Sequence, residues 1–175
     1  MSKTHPIPRW RAIPRWRGMK IISVIDFWQH LDHPVEIQIK KNIINFLDQN
    51  QDHYIINGCY DIDQCPCDPL LVNYLDANRP RHLEIGIDDD DWSLKHKWQT
   101  YTICGFHSLQ CLIYRPLGLY EIMKKNLHRH KDITIRYDLS CSNRGRYEYI
   151  TWSKNRIKKM LKFPNSPVNI ITKNR

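Results

Sequence analysis

The chain has 175 residues, 41% hydrophobic and 11% aromatic, which suits one globular domain with a substantial core. It contains no uncharged apolar run of bilayer length, and its basic N-terminus is not followed by the apolar block of a secretory signal. A soluble, cytoplasmic protein with no membrane partner is expected. Six cysteines in that setting read as reduced thiols rather than a disulfide framework. The net charge of +9 is unevenly placed: residues 1–18 carry five basic groups and no acid, 19–123 carry 8 basic and 15 acidic groups, and 124–175 carry 14 basic and 3 acidic groups.

Residues 1–18 form a Pro/Trp/Arg-rich arm with a short duplication, IPRWR at Ile7–Arg11 and again at Ile13–Arg17. Its prolines block regular hydrogen bonding, so an extended arm is expected ahead of a single domain over 19–175. From Met19 the chain alternates short apolar runs with helical spacing. Strands are predicted over Lys20–Asp26, His53–Tyr60, His82–Ile87, Gln99–Phe106, Asp132–Tyr137 and Val168–Thr172. Helices are predicted over Pro34–Gln49, Pro69–Leu75, Ser108–Asn126 and Tyr147–Leu161, the first with Val35, Ile39, Ile43, Phe46 and Leu47 on its inner face. This order predicts an α/β protein of three layers, with a mostly parallel sheet of about six strands.

Several strands run out into acids: Asp26 after the first, Asp61 near the second, Asp88 after the third and Asp138 after the fifth. In open parallel sheets the ligand crevice lies beyond the carboxyl ends of the strands, so these acids are candidates for a site or for helix caps. The fourth strand leads through TYTICGFHSLQCLIYR, Thr100 to Arg115. Cys111 there opens a helical segment. A helix start gathers unpaired N–H groups, so a thiol at that position is expected to ionise more easily; the alternative is a small buried apolar residue.

The first run, IISVIDFWQ, and the turn ICGFHSLQCL together resemble the isochorismatase-like cysteine hydrolases, the superfamily of nicotinamidases and N-carbamoyl amidohydrolases. In that signature Gly105 takes the place of the Gly, Ser108 of the Thr and Cys111 of the nucleophile; DITIRYDLSCS and PVNIIT resemble the closing strands. The resemblance implies an isochorismatase-like fold and hydrolysis of a C–N bond in a small molecule. It assigns Cys111 as nucleophile, Asp26 as general base and the amides of His107 and Cys111 as oxyanion hole. It also implies a cis peptide at Phe106–His107. A pocket touched by Phe27, Phe106, Ser108 and Asp61 is expected, with no cofactor; no metal is expected either, since the Asp and histidines by which the family's nicotinamidases hold one after the second strand are not present here. Two features depart from the family. Its catalytic Lys is expected after the third strand, where this chain reads EIGIDDDDW, with Lys95 and Lys97 only later. Leu109 stands where an Asp or Asn is usual.

Cys59, Cys65 and Cys67 cluster in GCYDIDQCPCD, read either as a zinc set or as unligated loop thiols; the one-residue spacing of C-P-C is not a usual zinc pattern. No phosphate-binding glycine motif occurs, so a dinucleotide-binding reading is set aside. Two functional readings follow. One is an active hydrolase of the resembled type, possessing a small-molecule substrate and a tendency to self-associate. The other is a member that has lost catalysis and binds an acidic partner or nucleic acid through its arm and basic final third.

Overall fold

A computed structural model of the chain describes residues 18–59, 65–86, 98–107, 111–125, 132–141 and 168–171. The arm over 1–17, the Asp88–Asp91 run and the Tyr147–Leu161 segment lie outside them. Among the described residues six strands form one parallel sheet: β1 (Lys20–Ile25), β2 (Tyr54–Gly58), β3 (Leu83–Glu84), β4 (Thr100–Gly105), β5 (Ile133–Arg136) and β6 (Asn169–Ile171). Their order is β3-β2-β1-β4-β5-β6, every neighbouring pair parallel.

Side chains alternate across the sheet, and each face is covered. Ile21, Ile25, Tyr101, Ile103, Ile133 and Ile135 point one way, packed with Leu112 and Ile113 of α3 (Cys111–Tyr114) and Leu119 and Ile122 of α4 (Leu119–Lys125). Ile22, Val24 and Ile55 point the other way, onto Ile39, Ile43 and Leu47 of α1 (Pro34–Gln49) and Leu71 and Leu75 of α2 (Pro69–Asn78). The molecule is therefore an α/β protein with helices on both faces of a parallel sheet. No helix among the described residues is long and apolar enough to cross a membrane.

Helix starts follow local chemistry. Pro34 and Pro69 occupy first-turn positions where a missing N–H costs nothing. His33 Nδ1 accepts the Val35 amide at 3.3 Å while Glu36 accepts the His33 amide at 3.2 Å, a capping box built on histidine. Asp68 caps α2 by accepting the Leu70 amide at 2.9 Å. The inner face of α1 differs from expectation at three positions: Val35 is exposed, Phe46 is only partly buried, and Lys40 is buried. The Lys40 ammonium is satisfied by the Trp28 carbonyl and the Asp68 carboxylate, both at 2.7 Å.

The single helix expected over Ser108–Asn126 is two helices. Pro116 removes an amide and disfavours helical geometry at Arg115, and at Gly118 a Cβ would stand 2.9 Å from the Ile113 backbone. The third strand is only two residues long, although the Ile85 amide still donates to the Asn57 carbonyl at 2.9 Å. Asp138 lies in a short 3-10 turn (Tyr137–Leu139), where its carboxylate accepts from Arg136 at 2.7 and 2.5 Å.

The chain reverses its direction of travel across the sheet between β1 and β4, and the crevice of such a sheet opens at the carboxyl ends of those two strands. The strands end very close together. Phe106 donates its amide to the Ile25 carbonyl at 2.9 Å, and a Cβ on Gly105 would lie 2.1 Å from that same oxygen. Gly105 also has φ +115°, a conformation that disfavours any side chain. Gly105→Ala should therefore destabilise the fold by more than about 3 kcal/mol, read as a lower urea midpoint at unchanged slope.

Candidate functional site

Asp26 follows β1 at the switch point. Its φ is +49°, a left-handed geometry that Asp tolerates better than most residues, and its amide donates to the Gly58 carbonyl at 3.0 Å. This turn carries the carboxylate away from the strand line, and the residue is 0% exposed. Across the seam, β4 ends in Gly105 and Phe106, the Phe106–His107 peptide is cis, and α3 begins at Cys111. The Cys111 thiol hydrogen-bonds the Asp26 carboxylate. The two groups that the sequence motifs single out are thus brought together.

A third group completes the cluster. Arg115 Nε donates to Asp26 Oδ2 at 3.0 Å, and its guanidinium also hydrogen-bonds the Cys111 sulfur. Arg115 is four residues after Cys111 and so one helical turn on, and its side chain is 28% exposed. Arg115, just past α3, thus brings a cation to Asp26, whereas residues 87–97, where the family's Lys was expected, lie outside the described residues, Lys95 and Lys97 among them. The i, i+4 spacing from Cys111 was the available signal.

Trp28 forms the wall beside this cluster. The Arg115 guanidinium carbon lies 5.8 Å from its ring centre, His30 stacks on it at 5.4 Å, and His107 is tilted against it at 5.9 Å. Sequence reasoning did not single out Trp28 or His30. Phe27 and Phe106, expected to touch substrate, are instead 0% exposed and meet edge to face at 6.0 Å in the core. They support the site from beneath. Ser108 and Asp61 lie outside the described residues.

Two chemical expectations are corrected. The Cys111 thiol is not easily ionised: burial, then the negative charge and hydrogen bond of Asp26, push its pKa up to about 11. The four-residue α3 and the Arg115 charge do not offset that. Nor is the Cys111 amide open as an oxyanion donor, because it donates to the His107 carbonyl at 3.1 Å, beside the Leu112 amide at 3.2 Å. Burial, with the charges of His30 and Arg115, lowers His107 to about 4, so its ring is neutral at neutral pH. Arg115 stays charged: partial burial works against it, and Asp26 more than offsets that.

Among the described residues no three His, Cys, Asp or Glu side chains gather to hold a metal ion. Cys59, Cys65 and Cys67 are all free thiols. Compared with protein-family models, with curated proteins and with solved structures, the chain matches none. The fold and site together define an α/β protein with a thiol, a carboxylate and a guanidinium in mutual contact at the switch point of its sheet.

The cluster makes a signed prediction about Cys111. Iodoacetamide alkylation should be slow at neutral pH and rise with a midpoint about 11, read by peptide mass spectrometry. Asp26→Asn removes a neighbouring anion and should move that midpoint down by roughly 1 unit, so alkylation at neutral pH becomes faster. A wild-type midpoint at or below that of an ordinary thiol would contradict the assigned contact.

His107 gives a second. An unfolded His takes its proton near 6.5, whereas the folded ring resists it down to about 4. Between those values the unfolded chain binds more protons, so stability falls as pH drops through that window. His107→Gln should flatten this part of the stability–pH curve in urea titrations.

Proposed function

We propose that this chain is a cysteine hydrolase of the isochorismatase-like type, cleaving a C–N bond of a small amide or N-carbamoyl compound. The observation that carries the reading is the contact of Asp26 with both Cys111 and Arg115 at the crevice of the sheet. In the resting site the sulfur holds its proton and donates it to Asp26. As the sulfur attacks the carbonyl carbon, the proton passes to the carboxylate and the carbonyl π pair moves to oxygen. Collapse of the tetrahedral adduct breaks the C–N bond, and the leaving nitrogen takes the proton back from Asp26. Water, deprotonated by Asp26, then cleaves the acyl-thioester and restores the thiol.

Arg115 takes the electrostatic role that a Lys plays in the resembled family. A guanidinium keeps its proton under all these conditions, so its contribution is to orient Asp26 and to stabilise developing negative charge. His107, neutral and beside Trp28, lines the side from which a planar substrate would enter. With the Cys111 amide engaged, Arg115 and the His107 amide are the groups assigned to favour an oxyanion.

A second reading is a protein of the same architecture that binds without turnover. It is favoured by the engagement of the Cys111 amide with the His107 carbonyl. Ammonia release from a panel of carboxamides and N-carbamoyl amines separates the two. The hydrolase reading expects release that disappears in Cys111→Ala, falls by about 10²–10⁴ in Asp26→Asn and by about 10²–10³ in Arg115→Gln, and is partly retained in Arg115→Lys. It also expects an acyl adduct on Cys111 in quenched reactions. Release unaffected by Cys111→Ala, or none from any compound, would leave the binding reading.

A further inference from the structure

Two further thiols lie on the flank of the crevice and take no part in the chemistry above. Cys59 directly follows β2 and is buried, whereas Cys67 is partly exposed in the segment that precedes α2. That segment pairs antiparallel with the chain after Asp26, through a bridge between Trp28 and Cys67. It is clamped on both sides, since the Gln29 amide donates to the Pro66 carbonyl at 2.9 Å and the Asp68 amide to the Phe27 carbonyl at 2.8 Å. The buried Lys40 ammonium holds Asp68 from behind at 2.7 Å.

Asn57, on β2, and Cys59, just past its end, are two residues apart, the spacing that alternation places on one face. Asn57 Nδ2 donates to Cys67 Sγ at 3.6 Å, which holds Cys67 over that face, and the Cys59 thiol hydrogen-bonds the Cys67 sulfur. Cys59 belongs to the apolar cluster beneath α1 and α2, and Cys67 and Cys65 pack against it. We propose that Cys59 and Cys67 form a redox-active dithiol, a modification site separate from Cys111, which a hydroperoxide converts to an intramolecular disulfide.

The geometry suits this step. Bonded sulfurs sit about 2.05 Å apart, so the two neighbouring side chains must rotate toward one another to close the link. The environments also divide the labour. Hydrogen bonds from Cys59 and then Asn57 favour the thiolate at Cys67, against burial and the charges of Glu84 and Asp68. Cys59, donating to that sulfur and buried close to Asp26, holds its proton more tightly. Cys67 is therefore the attacking sulfur. It displaces alcohol or water from the peroxide O–O bond and becomes a sulfenic acid. Cys59 then attacks that sulfur, its thiol proton leaves with the hydroxyl as water, and the S–S bond forms. In sum, two thiols and one hydrogen peroxide give one disulfide and two waters, with two electrons passing to the peroxide.

The test oxidises the full chain with hydrogen peroxide and maps linked peptides by mass spectrometry without reduction. The expected product is a Cys59–Cys67 link that reverts with dithiothreitol. It should persist in Cys65→Ser and in Cys111→Ser, since neither sulfur takes part. Cys59→Ser should lose the link and leave Cys67 trapped by dimedone as sulfenic acid, while Cys67→Ser should lose both signals. The proposal is overturned if wild-type protein links Cys65 to either sulfur instead, if Cys67 accumulates as sulfinic acid with Cys59 still reduced, or if neither thiol is oxidised before Cys111. The readout is a covalent link in wild-type protein, so it stands or falls independently of any hydrolase activity.

Discussion

The close approach of β1 and β4 at their carboxyl ends is the constraint on which the site depends. Only a residue without a side chain fits at Gly105, because the Ile25 backbone occupies the space a Cβ would need. That contact fixes the register Ile25 with Gly105 and lets the Phe106 amide reach the Ile25 carbonyl. From there the two chains leave the sheet on opposite sides of one crevice, carrying Asp26 on one side and His107 and Cys111 on the other. A wider seam would separate the carboxylate from the sulfur. The left-handed turn at Asp26 and the glycine at 105 are thus two halves of one device.

Charge burial reinforces this placement. Asp26 is wholly buried and Lys40 nearly so, and each has a cation or anion partner reaching it from another element: Arg115 from the end of α3, Asp68 from the cap of α2. The short segment Phe27–Gln29 runs between the two pairs and is tied to both, with the Trp28 carbonyl on Lys40 and the Trp28 ring beneath Arg115. Buried ion pairs of this kind add little net stability, since desolvation offsets the attraction, yet removing one partner costs about 3–5 kcal/mol. Their effect is to specify one arrangement. Trp28 and Asp26 cannot shift independently of the helices that carry their partners.

Much of this architecture was legible in the residues. Proline at the first turn, an acid three residues after the cap and regular apolar spacing marked α1 over its whole length, and continuous apolar runs marked β1 and β4. Where the reading failed, a local signal was outvoted by a longer one. The apolar period across Cys111–Met123 hid the break that Pro116 and Gly118 impose, and the alternation in HLEIGI suggested a strand that pairs over only two residues. The burial of Lys40 had no signal in the apolar spacing, since it depends on the Trp28 carbonyl and Asp68, both remote in sequence. Arg115 was hidden for the same reason: its contact with Asp26 spans 89 residues of sequence, and no periodicity encodes that. The aromatic neighbours Phe27 and Phe106 drew attention by adjacency, whereas their side chains point into the core.

The thiols show how far environment, rather than residue type, sets chemistry in one small domain. Cys104 is enclosed on β4, and burial, with smaller opposing effects of Arg136 and Asp138, pushes its pKa to about 12, which leaves it inert. Cys111 is raised nearly as far, but much of the cause is a carboxylate that can itself receive the proton, so the same burial that suppresses free thiolate supports transfer within the contact. Cys67 is lowered by a neighbouring thiol and an amide. A high pKa therefore means opposite things at Cys104 and Cys111. What distinguishes them is the acceptor: Cys104 donates to the Ser23 carbonyl at 3.6 Å, which cannot take the proton, whereas Cys111 faces a carboxylate set in place by the closure of β1 on β4.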